Sequence, residues 1–142
     1  MRVLVLGGTG EGRRTADGLH ERGHTVAYSV ADPNAKADVA CAIRRGGFGG
    51  VDGLAQTLTD EGFDRLIDAT HPYAATMSHN ARAASDEAGV PLWAVRRPPW
   101  QPEPGDDWHF LPQRTSAREA AAGLQRPLFT VGPAPLDEAP VP

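Results

Sequence analysis

The sequence predicts an α/β fold, a parallel sheet with helices on both faces. Short apolar segments alternate with helical patterns along most of the chain, which is the order that a parallel sheet requires. These segments are continuous, as in strands buried on both faces, and do not alternate with polar residues. A chain of 142 residues with 40% hydrophobic and 23% charged residues is large enough to bury one such core.

Five strands and three helices are predicted in the first part of the chain. The strands occupy residues 2–6, 25–30, 39–43, 65–69 and 91–95. The first helix runs from about Glu11 to Arg22, and the second runs from residue 51 to a stop at Gly62. The third begins with Pro72, whose missing N–H does no harm at the first helical position, and stops at Gly89. One face of this third helix carries Tyr73, Met77, Ala81, Ala84 and Ala88.

Beyond residue 95 the pattern becomes irregular. A Pro-rich loop precedes a short strand at 108–112, a helix with a capping box that starts at residue 116, and a last strand at 127–131. The final segment has four prolines and no apolar periodicity, which is typical of disorder or of a severed linker. We therefore predict one domain over residues 1–132 and a tail over residues 133–142.

Composition argues against several classes of function. A net charge of −4 argues against nucleic acid as the main partner. No apolar run reaches the roughly 18 to 20 residues that span a bilayer, and the N-terminus is wrongly built for a signal peptide. A single cysteine, Cys41, rules out an internal disulfide and is most simply a small buried apolar residue. We expect a cytoplasmic protein with neither a nucleic-acid nor a membrane partner.

Two unusual junctions follow the first and fourth predicted strands, at the sheet edge where parallel sheets bind ligands. The first junction is Gly-Gly-Thr-Gly-Glu-Gly over residues 7–12. Glycines there let the backbone approach a pyrophosphate, which rests on the N–H groups and positive dipole of the next helix. The pattern is typical of a Rossmann-like nucleotide-binding domain, although an arginine takes the third glycine position of G-x-G-x-x-G, and a tight turn without a ligand is the alternative. The cofactor-binding candidates are Gly7, Gly8, Thr9, Gly10, Glu11, Gly12 and Arg13.

The residue that reads the cofactor ribose is expected near the end of the second strand. Ser29 lies near that position, and Asp32 lies slightly beyond it. A hydroxyl with Arg13 and Arg14 nearby tolerates an extra phosphate, whereas a carboxylate would repel it. The sequence therefore favours NADPH over NADH, and Ser29 and Thr70 join the cofactor-binding candidates.

The second junction is Thr70-His71-Pro72-Tyr73. Proline stiffens the turn, so the imidazole and the phenol are held toward the same crevice as the Gly-rich loop. Histidine can donate a proton near neutral pH, and both side chains can hydrogen-bond a ligand. His71 and Tyr73 are therefore the catalytic candidates, and the alternative is that His71 caps the helix while Tyr73 lies in the core. No His-x-x-x-His or similar spacing occurs, so no metal site is predicted.

Arginine supplies nearly all of the positive charge, because Lys36 is the only lysine. Arginines grip carboxylates and phosphates with paired hydrogen bonds, and an indole can lie against a flat conjugated ligand. Two segments, 44–50 and 96–100, join arginines to aromatic side chains, and the first of these is either a loop over a ligand or a permissive connection. The substrate-binding candidates are Arg44, Gly46, Gly47, Phe48, Arg97 and Trp100.

Together these segments resemble the precorrin-6A reductase family of cobalamin biosynthesis. The resemblance rests on LGGTGEGR, RRGGFGG, IDATHPYA, RRPPWQP and DDW, which occur in that order across residues 1–132. It implies two Rossmann-like domains and an NADPH-dependent reduction of one double bond of the precorrin-6A macrocycle to give precorrin-6B. Hydride would reach a carbon beside a ring nitrogen, and a proton would reach the neighbouring carbon. The macrocycle is a flat tetrapyrrole rich in carboxylates, which suits the arginines.

The sequence departs from this family in three places. Asp32-Pro33 replaces a common Gly-Arg, Pro133 stands where an arginine is usual, and the family continues into a second domain. We expect a truncated product, a fragment or half of a split enzyme, whose second domain a separate chain would supply. The alternatives are a non-catalytic NAD(P)-binding module, and cobalt-precorrin-6A as the substrate. A short-chain dehydrogenase is excluded because no Tyr-x-x-x-Lys pair is present.

Overall fold

The computed structural model describes residues 1–98, 101–110 and 120–128. The chain divides into two compact units, Met1–Pro98 and Pro99–Pro142. The sheet and the helices described below all belong to the first unit. The predicted boundary of one domain over 1–132 therefore stays a prediction.

Five parallel strands form a single sheet in the first unit. They are β1 (Arg2–Leu6), β2 (Thr25–Val30), β3 (Ala42–Arg45), β4 (Arg65–Asp68) and β5 (Leu92–Ala94). Their spatial order is β3-β2-β1-β4-β5, and every neighbouring pair is parallel. The chain therefore moves outward from β1 to β3, crosses back, and continues outward on the other side through β4. The reversal between β1 and β4 creates the crevice in which such sheets bind ligands.

Three helices cover the two faces of the sheet. They are α1 (Gly10–Glu21), α2 (Gly50–Asp60) and α3 (Ala75–Ala88). Alternate residues of β1 point to opposite faces: Val3 and Val5 pack with α1, whereas Leu4 and Leu6 pack with α2 and α3. The prediction of an α/β fold with a parallel sheet covered on both faces is confirmed.

The third strand begins later than predicted. The sequence placed it at residues 39–43, but β3 pairs with β2 from Ala42 onward. The N–H of Ala40 bonds instead to Oδ1 of Asp17 in α1, at 2.9 Å, so this part of the chain is held by a helix and not by the sheet ladder. Cys41 is half-buried against the core, and this burial raises the pKa of its thiol.

The third helix also begins later than predicted. Pro72 is not its first residue, because His71 to Ala74 form a turn in which the N–H of Ala74 donates to the carbonyl of His71 at 2.8 Å. Tyr73 consequently lies before the helix with 78% of its surface exposed, so the alternative that places it in the core is wrong. The rest of the predicted apolar face packs against the core, namely Met77, Ala81, Ala84 and Ala88.

The second unit is described only in part. Residues 108–110 form no strand, contrary to the prediction for 108–112, and the two aromatic rings in this stretch contact each other with centroids 5.9 Å apart. Ala120 and Ala121 are helical, which agrees with part of the predicted helix. Trp100, the capping box at residue 116, most of the last strand and the tail lie outside the described residues. Among the described helices, none has the length and apolarity needed to cross a membrane.

Candidate functional site

Thr9 connects the Gly-rich loop to the neighbouring strand. Its Oγ1 accepts the N–H of Gly12 at 3.0 Å and so caps the N-terminus of α1. The same hydroxyl donates to the carbonyl of Ala69, just beyond β4, at 2.7 Å. A Cβ on Gly12 would lie 3.3 Å from both Ala69 and Thr9, a tight contact, so a side chain there would push α1 slightly away from the end of β4. One hydroxyl thus fixes the relative position of the two junctions that the sequence singled out.

Tyr28 explains the first glycine of the loop. A Cβ on Gly7 would overlap the phenol ring of Tyr28, which is buried in β2. The phenol oxygen also accepts the N–H of Gly8 at 2.9 Å. Gly7 is therefore required by packing within the fold, and Tyr28 is a site residue that the sequence analysis missed.

A groove of about 280 Å³ lies beside the Gly-rich loop, and we call it the loop groove. The lining residues are Gly8, Thr9, Gly10, Arg13, Tyr28, Val30, Ala35, Lys36 and Ala37. Four of the predicted cofactor-binding residues therefore meet in one place, together with the only lysine of the chain. Gly8 has a φ of +104°, and the space where a side chain would stand is open. An open groove on bare backbone at a helix N-terminus fits the phosphates of a dinucleotide.

A second, much smaller depression lies at the ends of β4 and β5, and we call it the strand-end depression. Its volume is about 10 Å³, close to that of one water molecule. The lining residues are Thr9, Glu11, Thr70, Pro72, Val95, Arg96 and Arg97. Thr9 lines both sites, so the two depressions meet at the reversal in strand order.

Arg96, which lines the strand-end depression, forms an ion pair with Asp68. Asp68 is the last residue of β4 and is 1% exposed. Nη2 of Arg96 lies 2.5 Å from Oδ2 of Asp68 and 3.0 Å from Oγ of Ser78, while its Nη1 donates to the carbonyl of Asp68 at 2.9 Å. A single guanidinium thus joins the end of β4, helix α3 and the segment after β5.

The hydroxyl and the N–H of Thr70 donate to Oδ1 of Asp68 at 2.6 and 3.0 Å. Burial alone would raise the pKa of the Asp68 carboxyl, but hydrogen bonds from Arg96, Thr70 and Ser78 outweigh it and lower the pKa from 3.8 to about 2. The hydroxyl of Thr70, a predicted cofactor-binding residue, is therefore already engaged with Asp68. Neither Asp68 nor this use of Arg96 was predicted.

We expect the low pKa of Asp68 to make the fold sensitive to acid. A carboxyl whose pKa falls from 3.8 to about 2 on folding stabilises the fold only while it is ionised. This shift corresponds to about 2 kcal/mol of unfolding free energy at neutral pH. It should be lost as the pH falls from about 4 to about 2, as measured by urea denaturation at each pH. In the Asp68→Asn variant, the unfolding free energy should depend less on pH in this range. An equally strong pH dependence in the variant would contradict the assignment.

Glu11 points to the strand-end depression and not to the loop groove. Its Oε1 lies 3.2 Å from Arg14 and 3.6 Å from Arg97. A hydrogen bond from its own backbone N–H lowers the pKa of the Glu11 carboxyl, burial opposes this, and the two arginines lower it further. Glu11 is therefore not in the loop groove, where its negative charge would repel a phosphate.

His71 and Tyr73 flank Pro72, which lines the strand-end depression. Their rings are 5.1 Å apart between centroids, and Nδ1 of His71 accepts the N–H of Tyr73 at 3.2 Å. This hydrogen bond requires an unprotonated Nδ1, so the ring proton of the neutral imidazole is on Nε2. Both residues are exposed, and neither is among the residues that line the depression.

Ser29 is not among the residues that line the loop groove. Along β2 it alternates with Tyr28 and Val30, which do line the groove, so its side chain belongs to the opposite face of the sheet. Its carbonyl accepts the N–H of Gly7 at 2.8 Å, which continues the ladder between β1 and β2. Its position favours a structural role for Ser29 over contact with a ribose.

The Gly-Gly-Phe-Gly-Gly segment has contacts that explain it without a ligand. The guanidinium of Arg44 pairs with Glu61 at 3.0 Å and lies 4.9 Å from the centroid of the Phe48 ring. Phe48 packs against the core on the α2 and α3 face. The N–H of Gly46 donates to the carbonyl of Val30 at 3.0 Å. These contacts favour the permissive-connection interpretation, and Gly47 is exposed.

In the described ranges, no group of three or more His, Cys, Asp or Glu side chains is arranged to hold a metal ion. The side chains that line the two depressions offer arginines, one lysine, threonine hydroxyls, the carboxylate of Glu11 and the phenol of Tyr28.

Comparison with known proteins agrees with the resemblance seen in the sequence. The sequence profile described as "Precorrin-6x reductase CbiJ/CobK" matches residues 2–141. A precorrin-6A reductase of Rhodococcus erythropolis is 40% identical over 92% of this chain and 54% of its own length. The precorrin-6A reductase of Rhodobacter capsulatus is 48% identical over 82% of this chain and 47% of its own length.

A solved structure gives the same result. The structure titled "CobK precorrin-6A reductase" superposes with a TM-score of 0.77 at 47% identity, over 84% of this chain and 48% of that one. The chain thus spans about half the length of the relatives that it matches. On its sequence and on its fold, the chain belongs to the precorrin-6x reductase family CbiJ/CobK.

Proposed function

We propose that this chain supplies the cofactor-binding half of a precorrin-6A reductase, which uses NADPH to reduce one double bond of precorrin-6A and yields precorrin-6B. The observation that carries the proposal is the junction of the two depressions at Thr9, on the strand-order reversal where dinucleotides bind in such sheets. The names of the relatives supply the substrate and the reaction class.

The loop groove suits the pyrophosphate and the adenosine end of the cofactor. Gly8 and Gly10 offer bare backbone at the N-terminus of α1, and Arg13 adds a positive charge. The nicotinamide end would then reach across Thr9 toward Thr70 and Pro72. When bound, NADPH supplies a hydride to one carbon of the macrocycle and becomes NADP⁺, while a proton from the site or solvent adds to the adjacent carbon.

His71 is suited to hydrogen bonding at the edge of the site. With Nδ1 accepting the N–H of Tyr73, the neutral ring presents its Nε2–H to a ligand oxygen. We therefore assign His71 the orientation of a ligand amide or carboxylate, with Tyr73 packed beside it.

Arg97 is the arginine best placed for a substrate carboxylate. Its side chain is 48% exposed, and its Nε lies 3.6 Å from Oε1 of Glu11. An exposed ion pair of this kind is weak, so a substrate carboxylate can displace Glu11 at little cost. Arg44 and Arg96, by contrast, hold carboxylates of the fold itself. The remaining substrate contacts are assigned to a second domain, on the same polypeptide or on a separate one, because the relatives are about twice the matched length. The proposed compartment is the cytoplasm.

The first experiment is a calorimetric titration of NADPH, and then NADH, into the 142-residue chain. Turnover is then followed by NADPH oxidation with precorrin-6A and, separately, with cobalt-precorrin-6A, with and without a second domain taken from a longer relative. Saturable NADPH binding and NADPH oxidation with either macrocycle support the proposal. NADPH binding without turnover, even with the added domain, would identify a non-catalytic nucleotide-binding module. A folded chain that binds neither nucleotide would contradict the proposal.

His71→Ala tests the edge of the site, with His79→Ala as its control. Both residues are exposed, but His79 lies on α3, outside both depressions. We expect His71→Ala to weaken NADPH binding or turnover about tenfold, as the loss of one oriented hydrogen bond implies. Neither variant should shift the melting temperature by more than about 2 °C, as is usual for surface positions. Equal activity of the two variants would remove His71 from the site.

A further inference from the structure

We propose that Lys36 selects NADPH over NADH by binding the phosphate on the 2′ position of the adenosine ribose. The inference rests on the proposed function, since it requires the adenosine end of the cofactor to lie in the loop groove. A basic residue in this role is unexpected, because the residues directly after β2 include an acid, Asp32, followed by Pro33 and not the usual Gly-Arg.

The segment after β2 is folded so that Asp32 accepts hydrogen bonds from the backbone N–H groups of the residues that follow it. Oδ1 of Asp32 accepts the N–H of Asn34 at 2.8 Å, and its carbonyl accepts the N–H of Ala35 at 3.1 Å. Asp32 is not one of the residues that line the loop groove. The acid that would favour an unphosphorylated ribose is therefore engaged in a turn.

The same turn brings Lys36 to the groove. Ala35 and Ala37, on either side of it, pack against the core, and both line the groove with Lys36. The carbonyl of Ala35 accepts a hydrogen bond from Nε of Arg45 at 3.3 Å, and the N–H of Ala40 is held by Asp17 at 2.9 Å. The backbone on both sides of Lys36 is thus tied to the sheet and to α1, while Lys36 itself is exposed.

The positive charges that line the loop groove also favour a phosphate. Arg13 of α1 lines the same groove, as do Tyr28 and Val30 of β2. The nearby Arg14, Arg96 and Arg97 each pair with a carboxylate. Within the described part of the chain, neither Arg13 nor Lys36 does so. Two cations without carboxylate partners in one groove suit a dianionic phosphate ester, which a lysine binds as a point charge.

The test compares Lys36→Gln with Lys36→Arg and with Arg82→Gln, which removes a positive charge on α3 far along the sequence from the groove residues. The probes are NADPH, NADH, adenosine 2′,5′-bisphosphate and 5′-AMP, titrated calorimetrically at fixed salt. We expect Lys36→Gln to weaken NADPH and the bisphosphate about tenfold or more, the loss of one charge-assisted contact, and to leave NADH and 5′-AMP unchanged. Lys36→Arg should retain most of the preference, and Arg82→Gln should retain all of it.

Each contrary outcome has a distinct meaning. If the unaltered chain prefers NADPH and Lys36→Gln keeps that preference, Lys36 is not the selector, while the proposed function stands. If Lys36→Gln weakens all four ligands equally, the residue shapes the groove and does not read the phosphate. If the folded, unaltered chain binds none of the four, both this inference and the proposed function fail.

Discussion

Replacing Arg96 with methionine is expected to lower the free energy of unfolding by about 2 to 3 kcal/mol, because it leaves a buried carboxylate without its charged partner. The charge in question is the Asp68 carboxylate, which is 1% exposed and would keep only its contacts with Thr70 and Ser78. The same substitution removes the hydrogen bonds from the guanidinium to Ser78 and to the carbonyl of Asp68. The three chain segments that Arg96 joins would lose their common partner.

Arg97→Met is the matched control, since it makes the same substitution at the next position. Arg97 is about half exposed and lies 3.6 Å from Glu11, so its loss should cost less than about 1 kcal/mol. Urea denaturation of the two variants at neutral pH measures the difference. A similar loss of stability in both would show that the Asp68–Arg96 pair has no special weight in the fold.

Gly53→Ala in α2 is expected to destabilise the fold by about 2 kcal/mol, within the range found for overpacked sites. Helix propensity alone predicts the opposite sign, since alanine is favoured over glycine by about 1 kcal/mol inside a helix. The added Cβ would overlap the carbonyl oxygen of Phe48, and a backbone atom cannot turn aside as a side chain can. Phe48 is itself held against the core, so either the start of α2 or the preceding turn must shift.

Gly18→Ala in α1 is the control for this prediction. Its Cβ would meet only Nη1 of Arg22 at 3.1 Å, which is the far end of a flexible side chain. We expect this variant to be as stable as the unaltered chain or up to about 1 kcal/mol more stable. In thermal unfolding, the melting temperature should therefore fall for Gly53→Ala and stay the same or rise for Gly18→Ala. Parallel shifts would mean that the close contact at Gly53 does not exist in solution.

The central strands could be predicted from the sequence because their signal is local. The predicted and observed bounds agree for β1 and β2, and β4 differs only in its last residue. The predicted start of β3 was wrong because Val39 and Cys41 are apolar for another reason, namely that they cover the core from outside the sheet. Prediction of the start of α3 was wrong because Pro72 suits the first position of a helix and a turn equally well.

Within the site, sequence analysis could locate both junctions but not their internal contacts. Glycine-rich and His-Pro-Tyr segments after buried strands are visible as patterns, and the sheet brings them together through Thr9. Asp68, Tyr28 and Lys36 were missed because each matters through a partner distant in the chain or through the course of a loop. An acid at the end of an apolar strand and a phenol within one are the signals that could have identified the first two.

The contact between Gly7 and Tyr28 restricts how this loop can change during evolution. A side chain at position 7 needs the ring at position 28 to be smaller first. Shrinking the ring first, however, leaves a void and removes the oxygen that accepts the N–H of Gly8. Either single variant is therefore less stable than the starting protein. Whichever position changes first, the chain must pass through a destabilised intermediate. We expect the two positions to be inherited together and, where they differ, to differ as a pair.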